Sequence, residues 1–340
     1  MKKIKIAIIG LGGIGKRHVA VVDAERNAEI VAICDNDPEK CKAITDLYGT
    51  IPVYTDYLKL LEESDAEIVS IATPHGLHAE MSINSMIAGK HVLVEKPMAL
   101  NSIDCKRMID ASNLYERKLI VIKQNRYNIP IKLVKKAIDE KRLGRIFMVQ
   151  CNVMWNRHNE YYNDSDWRGR KQLEGGALHT QVSHFLDLMI WWFGEVKEAK
   201  TIIDTLNHTI EIEDAGVSAI RFESGVIGSL LWTTNVYNIN YEGSITIIGE
   251  NGTIKVGGKY LNKIEYWDVQ SYPLPDDIDF EDTPNNYGKY QGTSSNHDKL
   301  LIEVVNFFNK GRKGMVEGPE GKKTVDAIEI IYNDTFLKNI

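Results

Sequence analysis

Cysteine is scarce in this chain of 340 residues. The four cysteines, Cys34, Cys41, Cys105 and Cys151, form neither a CxxC pair nor a spacing that is typical of metal ligands. In a chain of this length, scattered cysteines are typical of reduced side chains that pack inside a cytoplasmic protein. The sequence therefore predicts a cytoplasmic location, no disulfide framework and no metal site.

Long apolar runs and an excess of positive charge are also missing. No stretch approaches the roughly 20 apolar residues of a membrane span. The apolar run at Ile4–Ile9 is short for a signal peptide and is followed by glycines rather than by a cleavage site. Lysine and arginine number 41 against 47 aspartates and glutamates, which gives a net charge of −6. We therefore expect neither a membrane nor a nucleic-acid partner, because both present anionic surfaces.

Two domains are expected from the length, and the first has a regular pattern. Strand-like runs alternate with helical patterns over residues 1–123. The predicted strands are Ile4–Ile9, Glu29–Cys34, Glu67–Ile71, His91–Val94 and Leu119–Ile122, and the predicted helices are Ile14–Glu25, Pro38–Tyr48, Leu77–Ala88 and Ser102–Arg117. Asp37 and Asn101 are in place to cap two of these helices. Such alternation is typical of parallel βαβ units, so we predict a doubly wound α/β domain.

Residues 124–340 have a different pattern, which predicts an α+β domain with a large, open, mostly antiparallel sheet. The predicted elements are a helix at Lys132–Glu140, a strand at Arg145–Val153, an irregular segment at Arg157–Glu174, a helix at Gly176–Phe193, about five strands from Val196 to Val256, a loop at Pro273–Gly292, and helices at His297–Asn309 and Glu320–Leu337. One face of the sheet is expected to be solvated or covered by a partner. The pattern is also compatible with last helices that pack back on the first domain.

A dinucleotide site is indicated where the first strand meets the first helix. The sequence there matches GxGxxG, and the residues expected at the phosphates are Gly10, Gly12, Gly13, Ile14 and Gly15. Gly10 allows a tight turn, Gly12 allows close approach of the pyrophosphate, and Gly15 allows the helix to pack on the strand. Asp35, twenty residues after Gly15, ends the second strand, where a carboxylate accepts hydrogen bonds from the adenosine ribose and repels a 2′-phosphate. We therefore predict NAD rather than NADP.

Two polar segments follow later strands of the same domain. They are Thr73-Pro74-His75-Gly76-Leu77-His78 and Glu95-Lys96-Pro97. The carboxyl ends of parallel strands are where open α/β sheets bind ligands. A lysine at this place could exchange a proton with a substrate hydroxyl while hydride leaves the adjacent carbon. From the residues alone, a surface lysine in a salt bridge remains an equal alternative for Lys96.

The chain resembles the glucose–fructose oxidoreductase/inositol dehydrogenase/MocA family over nearly its whole length. The resemblance is carried by five segments, which are GLGGIG, TPHGLH, GKHVLVEKPMA, DWRGR and EGGALHTQVSHFLD. The resemblance implies an N-terminal Rossmann domain, a C-terminal α/β domain whose open sheet often forms subunit interfaces, and hence a homo-oligomer (dimer or tetramer). It implies Lys96 and His184 as catalytic residues. The cofactor contacts that it implies, beyond the glycine motif and Asp35, are Thr73, His75, His78, Glu95, Lys96, Trp167 and Arg168.

The chain departs from the family pattern at Thr180, where much of the family has an aspartate four residues before the catalytic histidine. A hydroxyl can orient His184 but cannot stabilise an imidazolium as a carboxylate would, so Lys96 is the stronger candidate for proton transfer. With this departure, the segments at 123–128, 157–169 and 176–181 resemble the UDP-N-acetyl-2-amino-2-deoxy-D-glucuronate dehydrogenases (the WlbA/WbpB branch). These enzymes oxidise the sugar's 3-hydroxyl in the biosynthesis of surface polysaccharides.

The branch resemblance implies a nucleotide-sugar substrate that carries a diphosphate and a carboxylate. Arginine suits bidentate binding of either anion, and Arg157 is the candidate for the carboxylate. The expected substrate contacts are Lys96, Arg126, Arg157, Tyr161, Thr180, Gln181 and His184. The alternatives are a dehydrogenase of a free cyclitol or aldose, an NAD-assisted glycoside hydrolase, and a sensor without catalysis.

Overall fold

The protein is described by a computed structural model that covers residues 3–276, 284–286, 291–294, 296–311 and 314–335. It divides into two units. The first comprises Met1–Lys123 with His297–Val325, and the second comprises Gln124–Asn296 with Asp326–Ile340. Among the described residues, none of the helices combines the length and apolar character that crossing a membrane requires.

The first unit contains a parallel sheet of six strands in the order β3-β2-β1-β4-β5-β6. Its elements up to residue 123 are β1 (Ile4–Ile9), α1 (Gly13–Ala24), β2 (Ala28–Cys34), α2 (Pro38–Tyr48), β3 (Val53–Tyr54), α3 (Tyr57–Glu63), β4 (Ile68–Ile71), α4 (His78–Ile87), β5 (His91–Val94), α5 (Ser102–Leu114) and β6 (Leu119–Val121). The predicted doubly wound α/β fold is confirmed. The sequence pattern did not predict β3 and α3, because two and seven residues are too few to establish a period.

Local hydrogen bonds explain where two of these helices begin. The Asp37 side chain accepts a hydrogen bond from the Glu39 N–H at 3.0 Å, ahead of α2. The Asn101 side chain accepts one from the Asp104 N–H at 2.8 Å, ahead of α5. Both caps satisfy N–H groups that the first helical turn leaves without an intrahelical partner, as predicted.

The second unit is built on a mixed sheet of seven strands in the order β13-β12-β11-β7-β10-β9-β8. Its elements are α6 (Ile129–Asp139), β7 (Ile146–Met154), α7 (Asn159–Asn163), α8 (Ser183–Phe193), β8 (Val196–Asp204), β9 (Ala215–Phe222), β10 (Ile227–Thr233), β11 (Glu242–Gly249), β12 (Gly252–Gly257), β13 (Lys263–Val269), β14 (Pro284–Asn286) and β15 (Gln291–Ser294). All neighbours in the seven-stranded sheet are antiparallel except β7 and β10, which are parallel. The predicted mostly antiparallel sheet is confirmed.

The two faces of this sheet differ in burial. Val149 and Val153 of β7 belong to the buried core that also contains Phe185 of α8. On the opposite face Met148 pairs with Ile227 on one side and with Ile248 on the other. These three side chains are 43%, 39% and 40% exposed. In this unit the sheet therefore leaves an apolar row uncovered.

Three predicted segments differ in the structure. The irregular segment at 157–174 contains the short helix α7. Within the predicted loop at 273–292, residues 284–286 form β14, which pairs with β15, while 277–283 and 287–290 lie outside the described residues. The chain ends with α9 (His297–Lys310) and α10 (Gly318–Asn333), and the predicted end of the last helix at Leu337 also lies outside the described residues.

Candidate active site

The glycine turn between β1 and α1 is shaped by close backbone packing. Gly10 has a φ of +89°, and a Cβ there would lie 2.6 Å from the Ala72 carbonyl oxygen. A Cβ on Gly15 would lie 1.8 Å from the Gly10 oxygen, whereas one on Gly12 would meet nothing within 4 Å. Packing therefore requires glycine at two positions, while Gly12 faces open space. Because α1 begins at Gly13, its first N–H groups are available for phosphate oxygens.

Asp35 holds this turn against the end of β2. Its carboxylate accepts hydrogen bonds from the Leu11 N–H at 2.7 Å and from the Asp37 N–H at 3.0 Å. Lys40 lies beside it, with Nζ 3.3 Å from Oδ1. The predicted ribose ligand thus also anchors the glycine turn. Sequence reasoning missed the neighbouring lysine, although Lys40 lies on the helix that Asp37 caps.

His78 joins the ends of β4 and β5. It is fully buried, with Nδ1 2.8 Å from the Pro97 oxygen and Nε2 3.0 Å from the Thr73 oxygen. Burial lowers the pKa of His78. Its ring centroid lies 5.6 Å from that of His75, which is 7% exposed. The structure therefore brings both predicted polar segments of the first unit together.

Glu95 lies at the centre of a buried hydrogen-bonded cluster. Its Oε1 lies 3.0 Å from His18 Nε2 and 3.0 Å from His297 Nε2, and its Oε2 accepts a hydrogen bond from the Lys96 N–H at 3.1 Å. On its other side His18 contacts the Ser70 hydroxyl at 2.8 Å. Burial opposes ionisation of Glu95, yet the hydrogen bonds from the two histidines hold the pKa of this carboxyl well below its ordinary value. The Lys96 side chain is partly exposed.

The same three groups are of the type that binds divalent metal ions. The ligand atoms of His18, Glu95 and His297 lie within 4.8 Å of one another. The separations of 3.0 Å between the shared carboxylate oxygen and each Nε2 are those of N–H···O hydrogen bonds. Direct hydrogen bonding thus accounts for the arrangement.

In the second unit, two guanidinium groups flank the ring of Tyr161. The Arg168 guanidinium lies 4.1 Å from the ring centroid, and Arg157 lies 5.2 Å from it. The Gln181 side-chain N–H donates to the Tyr161 hydroxyl at 3.2 Å, and Trp167 contacts Arg168 at 5.5 Å. Five of the predicted site residues therefore form one cluster in this unit.

The segment that carries Thr180 is not an ordinary α-helix. Residues Leu178–Val182 form a π-helical turn, and α8 begins directly after it. His184, the second residue of α8, is 6% exposed. Such turns are frequent at functional sites because they alter which side chains share a face. Nothing in the apolar pattern of this helix distinguishes a π turn from an α turn.

Two buried glutamates that sequence reasoning missed support this turn. Glu213 Oε1 accepts hydrogen bonds from the Leu178 N–H at 3.0 Å and from the Tyr332 hydroxyl at 2.8 Å, and burial raises the pKa of Glu213 to about 7. Glu174 is fully buried, accepts a hydrogen bond from the Gly169 N–H and contacts the Thr180 hydroxyl. Burial also raises the pKa of Glu174. A carboxyl group therefore adjoins position 180, although residue 180 is not itself an acid.

Arg126 has a partner that the sequence analysis did not assign. Its Nε and Nη2 donate to the two carboxylate oxygens of Asp187 at 2.8 and 2.9 Å, and its guanidinium lies 4.8 Å from the Trp191 ring. Both members of the pair are buried. This bidentate contact places Arg126 in an internal ion pair. An aspartate within a mostly apolar helix was the sequence feature that could have indicated a buried partner for an arginine.

The predicted site residues fall into two groups. Those in the first unit are Gly10, Gly12, Gly13, Ile14, Gly15, Asp35, Thr73, His75, His78, Glu95 and Lys96. Those in the second unit are Arg126, Arg157, Tyr161, Trp167, Arg168, Thr180, Gln181 and His184. The functional roles assigned to them remain predictions.

Two family models match the chain. The model described as the oxidoreductase family, NAD-binding Rossmann fold, matches residues 4–122. The model described as the GFO/IDH/MocA C-terminal domain matches residues 131–255.

Solved structures and curated proteins extend this similarity. The WlbA dehydrogenase from Chromobacterium violaceum, solved in complex with NADH and UDP-GlcNAcA, is 36% identical with a TM-score of 0.90 over 98% of this chain and 94% of that one. The Bordetella pertussis WlbA dehydrogenase, in complex with the same two molecules, is 36% identical with a TM-score of 0.88 over 98% and 96% of the two chains. A 1-carboxy-3-chloro-3,4-dihydroxycyclohexa-1,5-diene dehydrogenase from Comamonas testosteroni is 30% identical over 66% of this chain. That match spans only 57% of the curated protein's length.

Proposed function

Because this chain belongs to the GFO/IDH/MocA family of oxidoreductases, we propose that it oxidises the 3-hydroxyl of UDP-N-acetylglucosaminuronate (UDP-GlcNAcA), a step in making surface polysaccharides. Its cofactor is NAD. The observation that carries the substrate proposal is the likeness over 98% of the chain to a dehydrogenase solved with NADH and UDP-GlcNAcA. The first unit suits the cofactor, since Gly12 faces open space in front of the α1 N–H groups.

The proposed chemistry needs a proton acceptor and a hydride acceptor. Bound NAD supplies the hydride acceptor. In the proposal Lys96, as the free amine, takes the proton of the substrate hydroxyl while the carbon–hydrogen electron pair leaves as hydride, so that the alcohol becomes a ketone. We assign the orientation of the sugar hydroxyls to His184 and Gln181.

The anionic groups of the substrate require cations in a protein whose net charge is −6. Arg157 and Arg168 supply two of them beside Tyr161, and Arg157 is 4% exposed. A buried guanidinium binds a carboxylate more strongly than a solvated one, because little water competes with it. We therefore assign the uronate carboxylate to Arg157. Arg126 is left out of this assignment because Asp187 already binds it.

The substrate proposal is tested by following absorbance at 340 nm with purified protein and NAD, with and without 2-oxoglutarate. UDP-GlcNAcA is compared with UDP-GlcNAc, which lacks the carboxylate, and with myo-inositol. We expect NADH from UDP-GlcNAcA alone. Turnover of myo-inositol at an equal or higher kcat/KM would contradict the proposal, and sugar release without lasting absorbance would indicate NAD-assisted hydrolysis instead.

Two variants test the assigned roles. Lys96→Ala should lower kcat by roughly 10²–10⁴-fold, as expected for loss of a positioned acid–base group. Arg157→Met should raise KM for UDP-GlcNAcA, whereas Arg157→Lys, which keeps the charge but not the bidentate fork, should have an intermediate effect. Equal KM values for wild type and Arg157→Met would refute the carboxylate assignment.

We also propose a homo-oligomer formed through the uncovered sheet face of the second unit. The supporting observation is the exposed row of Met148, Ile227 and Ile248. A contiguous apolar row in contact with water is typical of a subunit interface. Light scattering should give the mass of a dimer or tetramer for wild type, and a lower mass for the Ile248→Lys variant. A wild-type monomer at micromolar concentration would contradict this proposal.

A further inference from the structure

Three separate parts of the chain meet at the carboxylate of Glu95. His18 comes from α1, His297 comes from the start of α9, and the Lys96 N–H comes from the next residue along the chain. The side chains of His18, Glu95 and His297 are 5%, 7% and 3% exposed. The ring centroids of the two histidines lie 5.6 Å apart. A carboxylate so deeply buried has almost no water to satisfy it, so its hydrogen bonds must come from these groups.

The hydrogen-bond directions within the cluster follow from the carboxylate. Because a carboxylate oxygen only accepts, each Nε2 that faces it carries a proton. The other nitrogen of His18 is then free to accept from the Ser70 hydroxyl. Burial lowers the pKa of His18, and hydrogen bonds from His18 and His297 keep the pKa of Glu95 well below its ordinary value. The cluster is therefore a carboxylate that accepts hydrogen bonds from two imidazole N–H groups.

We propose that His18, Glu95 and His297 act as one positioning cluster for Lys96. The two imidazole N–H groups fix the carboxylate, and the carboxylate accepts from the Lys96 N–H, so that it fixes the backbone of Lys96 and places a negative charge beside that backbone. The inference rests on the proposed role of Lys96 as proton acceptor. It makes His297, which is 201 residues away from Lys96 in the chain, part of the machinery around it.

The negative charge has a predictable consequence. An anion near an amine stabilises the ammonium form, so we expect Glu95 to raise the pH at which Lys96 becomes able to accept a proton. Among the described residues, other charged or titratable groups that act on the cluster are Arg17, which acts on His18, and His78, on which Glu95 and Lys96 both act. None of these replaces the carboxylate that contacts the Lys96 N–H.

The first test uses the reactivity of Lys96 itself. Wild type and Glu95→Gln are labelled with acetic anhydride across a pH series, and the Lys96 peptide is quantified by mass spectrometry. Removing the charge should lower the midpoint pH of Lys96 labelling by about one unit, since opposite charges at short range shift such equilibria by that order. An unchanged midpoint in a folded Glu95→Gln protein would overturn the proposal.

The second test separates positioning from general packing. His297→Gln keeps a side-chain N–H near the place of Nε2, whereas His297→Leu fills similar volume without a donor. We expect His297→Leu to lower kcat by about tenfold, as for the loss of one hydrogen bond, and His297→Gln to lower kcat clearly less. Equal losses in both variants, with equal thermal melting, would show that the imidazole serves packing alone and would overturn the inference.

Two further readings keep the proposals distinguishable. Lys96 labelling needs no sugar, so it tests the positioning cluster even if UDP-GlcNAcA is not the substrate. A shifted labelling midpoint together with no turnover of UDP-GlcNAcA would contradict the proposed function and leave the positioning cluster supported. The metal content of the purified holoenzyme is measured by atomic emission. One equivalent of zinc lost in His297→Leu would mean that the three side chains coordinate an ion, which would overturn positioning by N–H donors.

Discussion

Replacement of Glu213 by glutamine is expected to stabilise the protein at alkaline pH and to have little effect at acidic pH. The carboxyl group is buried, and its Oε1 accepts hydrogen bonds from the Leu178 N–H at 3.0 Å and from the Tyr332 hydroxyl at 2.8 Å. An amide oxygen can accept both of these bonds. The Glu213→Gln variant therefore keeps the contacts of the π turn and removes only the ability to ionise.

The size of the effect follows from the pKa of Glu213, which burial raises from 4.5 to about 7. The unfolded carboxyl ionises near its ordinary value, while the folded one stays protonated up to about pH 7. Between these values the folded state binds more protons, so wild-type stability falls as pH rises. The full difference corresponds to about 3 kcal/mol, because each unit of pKa is about 1.4 kcal/mol. The gain of Glu213→Gln over wild type should thus grow by about 2 to 3 kcal/mol from pH 5 to pH 8.

Urea unfolding followed by tryptophan fluorescence is the suitable assay. All six tryptophans lie in the second unit, where Glu213 also lies, so the signal reports the unfolding of that unit. Glu223→Gln, which changes an exposed carboxyl in the same unit, is the matched control. If the free energies of unfolding of Glu213→Gln and wild type differed by a constant amount from pH 5 to pH 8, the raised pKa of Glu213 would be refuted.

Three other predictions concern the cofactor turn, the cofactor choice and the internal ion pair. Gly15→Ala should melt at a clearly lower temperature than wild type, since its Cβ would lie 1.8 Å from a backbone oxygen. Gly12→Ala should melt like wild type but bind NADH more weakly in a fluorescence titration, and equal melting temperatures of the two variants would contradict this prediction. Asp35→Ser should raise kcat/KM for NADP relative to NAD by about tenfold, because it removes the charge that repels a 2′-phosphate, and an unchanged ratio would argue against the assigned role. Arg126→Met should destabilise the second unit by about 3–5 kcal/mol in urea, because it leaves a buried carboxylate without its partner, and the double variant with Asp187→Leu should lose less. A double variant that loses as much as the two single variants together would show that the pair is not coupled.

Much of the first unit was predictable because its information is local. β1 and α2 have the predicted bounds, since apolar strands and capped amphipathic helices are defined by residues a few positions apart. The glycine motif was recognisable for the same reason. The sequence pattern alone could not show that Asp35 contacts the Leu11 N–H, because that contact depends on how β1 and β2 pair.

The carboxyl groups of the second unit show where this kind of reasoning ends. Thr180 indicates that an expected acid is missing from its helix, and the fold provides Glu174 from the preceding segment to contact that hydroxyl. Arg126 had the residue type and place of an anion ligand, yet the packing of α8 gives it Asp187. In both cases the partner comes from a segment that the tertiary fold brings into contact, and the spacing of residues along the sequence does not reveal it.

The sequence by itself determined the doubly wound α/β fold of the first unit, the dinucleotide turn with its NAD cofactor, and the place of the lysine that follows β5. Each of these depends on residues that are close in the chain, where backbone geometry and hydrophobic period act directly. Only the tertiary structure decided that His18 and His297 hold Glu95, that a π turn precedes His184, and that Glu213 stays protonated up to about pH 7. These features come from burial and from contacts between distant segments, and burial is a property of the folded chain that no short stretch of sequence contains.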